Sequence, residues 1–394
     1  DDSCSVEMHE QESFIFCSYL NHLQASKANE KGVVKFDKST MTSVVEMFQA
    51  FAARINKQSS LLNDEDQAKF LADYSWNIGL DAYSIGYAEG AYQFMFVCAL
   101  IVKKLLKAAM LMEAERRDDY TYRQASALLL AIASLTSGEH ASDSQGLSQN
   151  DREDARKARD AQNITRSKQA MAQLRGILDA AVDGRMEELK NIALVLEYEI
   201  ACAEKNVALQ RKIIDGLVPK DTNGSSVTTL LLIADRGCQL RSADVKTVVH
   251  AYEELISAYK KQAVPDFRYM SRVMRKRIEV GSRIHRSDDA PLLALYAEAE
   301  KLYMEYGNYS AVEAQWLVAT SFNRAVRHER SMRPAQALSW LEQTNSLLCA
   351  LDGVLPNTSG FRTLVLDNIA MLSAERDTAV AVGENTQADG ISTA

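Results

Sequence analysis

The residues best equipped for chemistry are sparse and scattered. Six histidines stand at 9, 22, 140, 250, 285 and 328, too dispersed in the chain to read as a metal motif. Neither phosphate-cradling signature, G-x-x-x-x-G-K-[ST] or G-x-G-x-x-G, occurs, and H-E-x-x-H and G-x-S-x-G are missing too. The carboxylate pairs Asp118-Asp119 and Asp288-Asp289 fall at expected helix ends, where they cap backbone amides and offset the macrodipole. His328 is expected on a solvent-facing helix surface. The six cysteines, at 4, 17, 98, 202, 238 and 349, form no C-x-x-C pair and read as small core residues in a reducing compartment. The chain therefore reads as non-enzymatic, with no catalytic residue, metal, cofactor or small-molecule substrate.

Recognition chemistry is what the residues do offer. Asn77 and Asn323 follow an aromatic residue on expected first helices of helix pairs. An amide there either bonds a neighbouring helix or donates to and accepts from a partner's backbone. Tyr83, near the end of the first of these helices, is grouped with them. Between 268 and 286 there are seven cations (Arg268, Arg272, Arg275, Lys276, Arg277, Arg283, Arg286) against one acid, Glu279, in a chain of net charge −8. Arg268, Arg272, Arg275 and Lys276 share one helical face by spacing. That face either pairs with acids on the next helix or receives an acidic partner segment or nucleic-acid phosphate. The net charge argues against nucleic-acid binding elsewhere on the chain. Trp76, Trp316 and Trp340 either fill space between stacked helices or form a ligand cage.

The elements that must position these groups are helices. Only 5 prolines and 17 glycines interrupt 394 residues, which suits long helices with short turns. Apolar periodicity marks helices over 41–55, 64–83, 88–106, 118–135, 171–182 and 186–217. Others follow over 226–236, 245–262, 266–283, 291–306, 311–328, 334–351 and 361–374. Ser137 to Asn150 reads as a surface loop and the charged stretch after it as a solvated helix, so 137–168 is set apart as a polar insertion. Helical repeats fill 1–136 and 169–375, and 376–394 is expected to be a disordered tail. No strand is predicted. The apolar run Ala91 to Val102 is too short to span a bilayer, so no membrane association is expected. Four sequons, at Asn163, Asn223, Asn308 and Asn357, carry little weight without a signal peptide. A start at Asp1 rather than Met suits a fragment or a processed product.

An internal repeat separates a solenoid from a bundle. Trp76-Asn77-Ile78-Gly79 is followed by Gly86 and Ala91, and Phe322-Asn323-Arg324-Ala325 is followed by Ala337. Both small residues precede their alanine by the same interval. Gly79 or Ala325 lets a second helix cross closely at Ala91 or Ala337. Gly86 supplies one turn, and Pro334 opens the second helix of the other copy. The interval between Asn77 and Asn323 has room for about seven repeats of roughly 34 residues. The fold expected is all-α: an α-solenoid of TPR-like (tetratricopeptide-like) helix pairs wound as a right-handed superhelix.

The segment from Glu313 to Val326 resembles a signature of the meiosis-specific TPR scaffolds of the Zip-four or Spo-twenty-two type. Glu313, Trp316, Leu317, Thr320, Phe322, Asn323, Ala325 and Val326 carry the match. Trp76-Asn77-Ile78-Gly79 is similar to that family's N-terminal Trp-Asn-Leu-Gly repeat, and Ser126 to Ala133 to its following alanine- and leucine-rich helix. The 137–168 insertion departs from the pattern, and full-length relatives are longer. The resemblance implies a nuclear protein on meiotic chromosomes. Such a protein supports recombination, crossover formation and synapsis by binding recombination or synapsis proteins. The alternative is a general TPR adaptor or co-chaperone-like peptide binder unrelated to meiosis. That adaptor needs cations beside the groove asparagine, and Asn77 has none nearby.

Overall fold

The computed structural model describes residues 42–50, 65–108, 114–137, 149–181, 184–217, 224–261, 266–285, 288–307, 309–356 and 358–389. Among them are fourteen helices and no strand. Helix α1 covers 42–50. It is followed by α2 (Glu65–Ser84), α3 (Ala88–Ala108), α4 (Ala114–Ser137), α5 (Gln149–Ala180), α6 (Arg185–Ala203) and α7 (Val207–Leu217). Then come α8 (Gly224–Gln239), α9 (Val245–Lys260), α10 (Phe267–Ile284), α11 (Ala290–Tyr306), α12 (Ala311–Arg330), α13 (Pro334–Ala350) and α14 (Thr358–Asp389). No described helix is long and apolar enough to cross a membrane.

The chain divides into two compact units, 1–213 and 214–394, with the boundary inside α7 rather than at the polar segment. In the first unit α3 packs on α2 and α4, and α4 also packs on α5 and α6. Phe48 of α1 stacks on Tyr74 and meets Phe94 edge-on, which ties α1 to the α2–α3 pair. In the second unit consecutive helices pack from α8 to α11 and from α12 to α14. There α10 also lies on α12, and α11 on α13, so the first helices of two successive pairs adjoin, as do the second.

The internal repeat is structural. Helix α2 runs 65–84 and α12 runs 311–330, so both ends are offset by 246; α3 starts at 88 and α13 at 334, the same offset. Burial follows the offset too. Ser75 and Ser321, Gly79 and Ala325, Ala91 and Ala337, and Phe94 and Trp340 are all buried, while Asn77 and Asn323 are both exposed. Periodicity explains this: positions three, four and seven apart on each first helix face the second, and the asparagine falls outside that stripe. Five helix pairs separate α2 from α12 in chain order, so a pair takes about 49 residues, longer than the 34 of a minimal repeat.

The turns repeat as well. Gly86 has φ 75°, and Lys205 and Met332 each have φ 56°, in the left-handed region. Each donates its amide three residues back, to Tyr83, Cys202 or Glu329, and the next amide bonds five back, to Ala82, Ala201 or His328. This is the bonding of a Schellman helix end, which satisfies carbonyls the helix leaves open. The reversal between α12 and α13 thus rests on Met332, with Pro334 only at the helix start that follows. The expected helix over 186–217 is cut at Lys205 for the same reason, and Asn206 caps α7 by accepting from the Leu209 amide at 3.0 Å. A left-handed residue with a Cβ costs about 1–2 kcal/mol. Gly86→Ala should destabilise by about that amount, and Met332→Gly should stabilise by about 0.5–1 kcal/mol after the added chain entropy. Thermal unfolding of both variants checks the pair.

Other elements differ from the sequence reading. The solvated helix expected after Asn150 is present, with residues 153–162 all exposed, but it runs on without a break into the helix expected over 171–182 as the single helix α5. The loop at 138–148 lies outside the described residues. Helix α14 extends to Asp389, where a disordered tail from 376 was predicted; Ala, Glu and Gln in that stretch favour helix. Cys98 and Cys202 are buried. Burial pushes the Cys98 thiol up to about 11 and the Cys202 thiol up to about 12, so both stay protonated. Cys238 is half-buried and Cys349 exposed, contrary to the core reading, while Cys4 and Cys17 lie outside the described residues.

Candidate protein-binding groove

The second unit holds an open groove of about 360 Å³ between α10 and α12, floored by Tyr296 of α11. Helix α12 presents Trp316, Thr320, Asn323 and Arg327 to it, with Arg324 beside them. These positions recur every three or four residues, so one face of one helix makes this wall. The facing wall is Ile278, Glu279 and Ser282 of α10.

A short polar chain holds the floor. The Tyr296 hydroxyl donates to Thr320 Oγ1 at 2.9 Å, and Thr320 donates on to the Trp316 carbonyl at 2.8 Å. Burial raises the Tyr296 phenol above its ordinary range, so it stays a donor. Tyr296 meets Trp340 edge-on at 5.1 Å, which fixes the ring against α13. Asn323 is exposed above this floor, with its amide open to a partner.

The guanidinium groups divide into committed and available ones. Arg275 lies 4.8 Å over the Trp316 ring, bonds Glu279 at 2.9 Å and reaches Glu313 at 3.5 Å. Arg277 bridges Glu298 at 2.5 Å and Glu253 at 2.9 Å. The basic stripe is therefore smaller than its sequence: Arg275 turns toward α12 and leaves it. Arg268, Arg272 and Lys276 stay exposed, Arg272 over the Tyr269 ring and Lys276 with its ammonium 3.9 Å from Glu279. Arg286 lies outside the described residues. Arg324 leans over Trp340 at 5.3 Å and stands 3.7 Å from Asp289. Arg327 is exposed and has no carboxylate partner among the described residues.

His328 corrects the sequence reading. It is buried, with Nε2 2.8 Å from Asp289. Asp289 precedes α11 without capping it by side chain, whereas Asp288 accepts from the Ala290 amide at 3.1 Å. Asp118 and Asp119 lie inside α4 rather than at its end, and Asp119 accepts from Arg185 of α6 at 3.1 Å.

The remaining predicted residues lie elsewhere. In the first unit Asn77 and Tyr83 are both exposed but six positions apart on α2, about 120° around its axis, so they share no face. Trp76 is half-buried with Arg123 5.9 Å from its ring. A Cβ on Gly79 would meet Met95 Cε at 2.8 Å, one turn beyond Ala91, so Met95 is the group that Gly79 admits. Ala91, Ala325 and Ala337 are fully buried, Phe322 meets Phe361 of α14 edge-on, and Trp340 is wholly enclosed. Trp316 both packs and lines the groove. Sequence reasoning missed Thr320, Tyr296 and Arg327, although the spacing of Trp316, Thr320, Asn323 and Arg327 marks a single face. It also missed Gly281, where a Cβ would meet Leu295 of α11 at 2.8 Å, another small residue at a pair crossing. No family model matches the chain, and no curated protein matches it in sequence.

Proposed function

We propose that this chain is a non-enzymatic protein-interaction scaffold, an α-solenoid of TPR-like pairs in a right-handed superhelix, acting in meiosis. The observation that carries the scaffold reading is the recurrence of one helix hairpin at a fixed offset with one turn geometry. Repeats of this kind give surface area and curvature rather than a catalytic pocket. The groove beside Asn323 adds a place where an amide and guanidinium groups face outward together. The meiotic assignment rests on the resemblance at Glu313 to Val326 and places the protein in the nucleus, on meiotic chromosomes, with recombination or synapsis proteins as partners. The outward Arg327 beside Asn323 favours a second reading, a general adaptor gripping a partner's terminal carboxylate, because Asn323 has the cation that Asn77 lacks.

Two measurements test these proposals. Small-angle scattering should give a radius of gyration well above the roughly 21 Å of a compact globule of this length, and a value near that figure removes the solenoid. Affinity recovery from meiotic and somatic nuclear extracts separates the readings. Partners confined to meiotic extract fit the scaffold on meiotic chromosomes. The same partners from both extracts fit the adaptor.

A further inference from the structure

We propose that the groove between α10 and α12 receives an extended acidic segment of a partner protein, gripped by Arg327 and Arg324 on one side and by Lys276 on the other. This rests on the scaffold reading and names the chemistry of its partner. Charge complementarity carries the inference. Glu279 is the single carboxylate lining the groove, and Arg275 and Lys276 already engage it. Around it, Arg272, Arg283 and Arg327 have no carboxylate partner among the described residues, and all three are exposed. Lys276 precedes Glu279 by three positions and stands one turn from it at the rim, whereas Arg283 donates to the Cys238 carbonyl of α8 at 3.4 Å. Arg327 projects from the opposite wall.

Shape selects an extended chain. Trp316 and Arg327 lie eleven positions apart on α12, about 16 Å of helix. That length matches about five residues of extended chain, whose alternate side chains point the same way. Asn323 sits within this stretch, and an amide both donates to and accepts from one backbone unit. Acids at alternate positions would meet Arg327 and Lys276, and the polar groups between would meet Asn323 and Ser282.

Nucleic acid fits less well. Packed neighbouring helices have axes about 8–10 Å apart, too narrow for a duplex to enter between them. A single strand needs an open aromatic face for its bases. The Trp316 face is already covered by Arg275, with the guanidinium 4.8 Å from the ring.

The test is fluorescence anisotropy of the full chain with a labelled eight-residue peptide carrying Glu at alternate positions. A Gln-for-Glu peptide and a labelled oligothymidylate serve as comparison probes. The acidic peptide should bind, and its affinity should fall about tenfold between about 50 and 300 mM salt. Arg327→Glu combined with Lys276→Glu should weaken it a further tenfold or so with unchanged circular dichroism. Lys246→Glu, at the exposed start of α9 and outside the groove lining, should change it less than about twofold. Equal binding of the Gln peptide overturns the acidic specificity and leaves the scaffold reading standing. Tighter binding of the oligothymidylate, lost in the double variant, reassigns the groove to nucleic acid. Unchanged peptide binding in a folded double variant removes the groove from the account. No peptide binding by the parent chain overturns the inference. If partner recovery from extracts also fails, the scaffold reading falls with it.

Discussion

Trp340→Ala is expected to lower the unfolding free energy by about 3–5 kcal/mol, the usual cost of truncating an enclosed aromatic residue in a core. Trp340 is wholly buried between α11 and α12, in contact with the Tyr296 ring and under Arg324. Its loss also unseats the floor of the groove. The control is Trp340→Phe. The indole Nε1 has no acceptor among the described residues, so phenylalanine forfeits volume but no hydrogen bond. It should cost less than half as much. Urea unfolding followed by circular dichroism compares the two, and equal losses would mean that ring volume is not what this site needs.

Crossing geometry sets the second large effect. Ala325→Leu and Gly79→Leu should each destabilise by about 1–3 kcal/mol, because overpacking forces neighbours off their rotamers or moves a helix. At Gly79 even the first added carbon comes within 2.8 Å of Met95, whose flexible end can yield, but a full leucine displaces more than one methyl. Ala325 is enclosed on α12, the first helix of its pair. Asn77→Ala, on the exposed face of α2, should stay within about 0.5 kcal/mol. If both leucine variants melt with the parent, the small residues do not set the approach of the paired helices.

How far the sequence reached depended on the range of the forces involved. Local periodicity located most helices, since a buried stripe is written into spacings of three and four. The paired motifs at Asn77 and Asn323 held because small residues at crossings leave few alternatives. The polar half of helix α5 was legible as a solvated helix from its charge, but its continuity with the helix over 171–182 was not, because ten exposed residues carry no stripe to join the two. The break at Lys205 was missed because a lysine in the left-handed region lacks the glycine that marks such turns; only Asn206 hinted at a new start. Among the candidate site residues, the exposure of Asn323 followed from its position on α12, whereas the contacts of Arg275, Arg277 and His328 depended on partners from other helices. Glu313, Glu253 with Glu298, and Asp289 are distant in sequence, and no local pattern announces them.

The three matching turns bear on how such a chain can diverge. One copy holds its reversal with glycine, and the other two hold it with lysine and methionine. The residue that advertises the turn is therefore dispensable, while the two hydrogen bonds that close the helix end are kept in all three of these turns. A penalty of about 1–2 kcal/mol at one turn is tolerable in a protein whose stability stays above its threshold. Mutational drift can then erase the marker residues one copy at a time and leave the backbone path unchanged. Ancestry among the copies should accordingly persist longer in bond patterns and helix lengths than in residue identities.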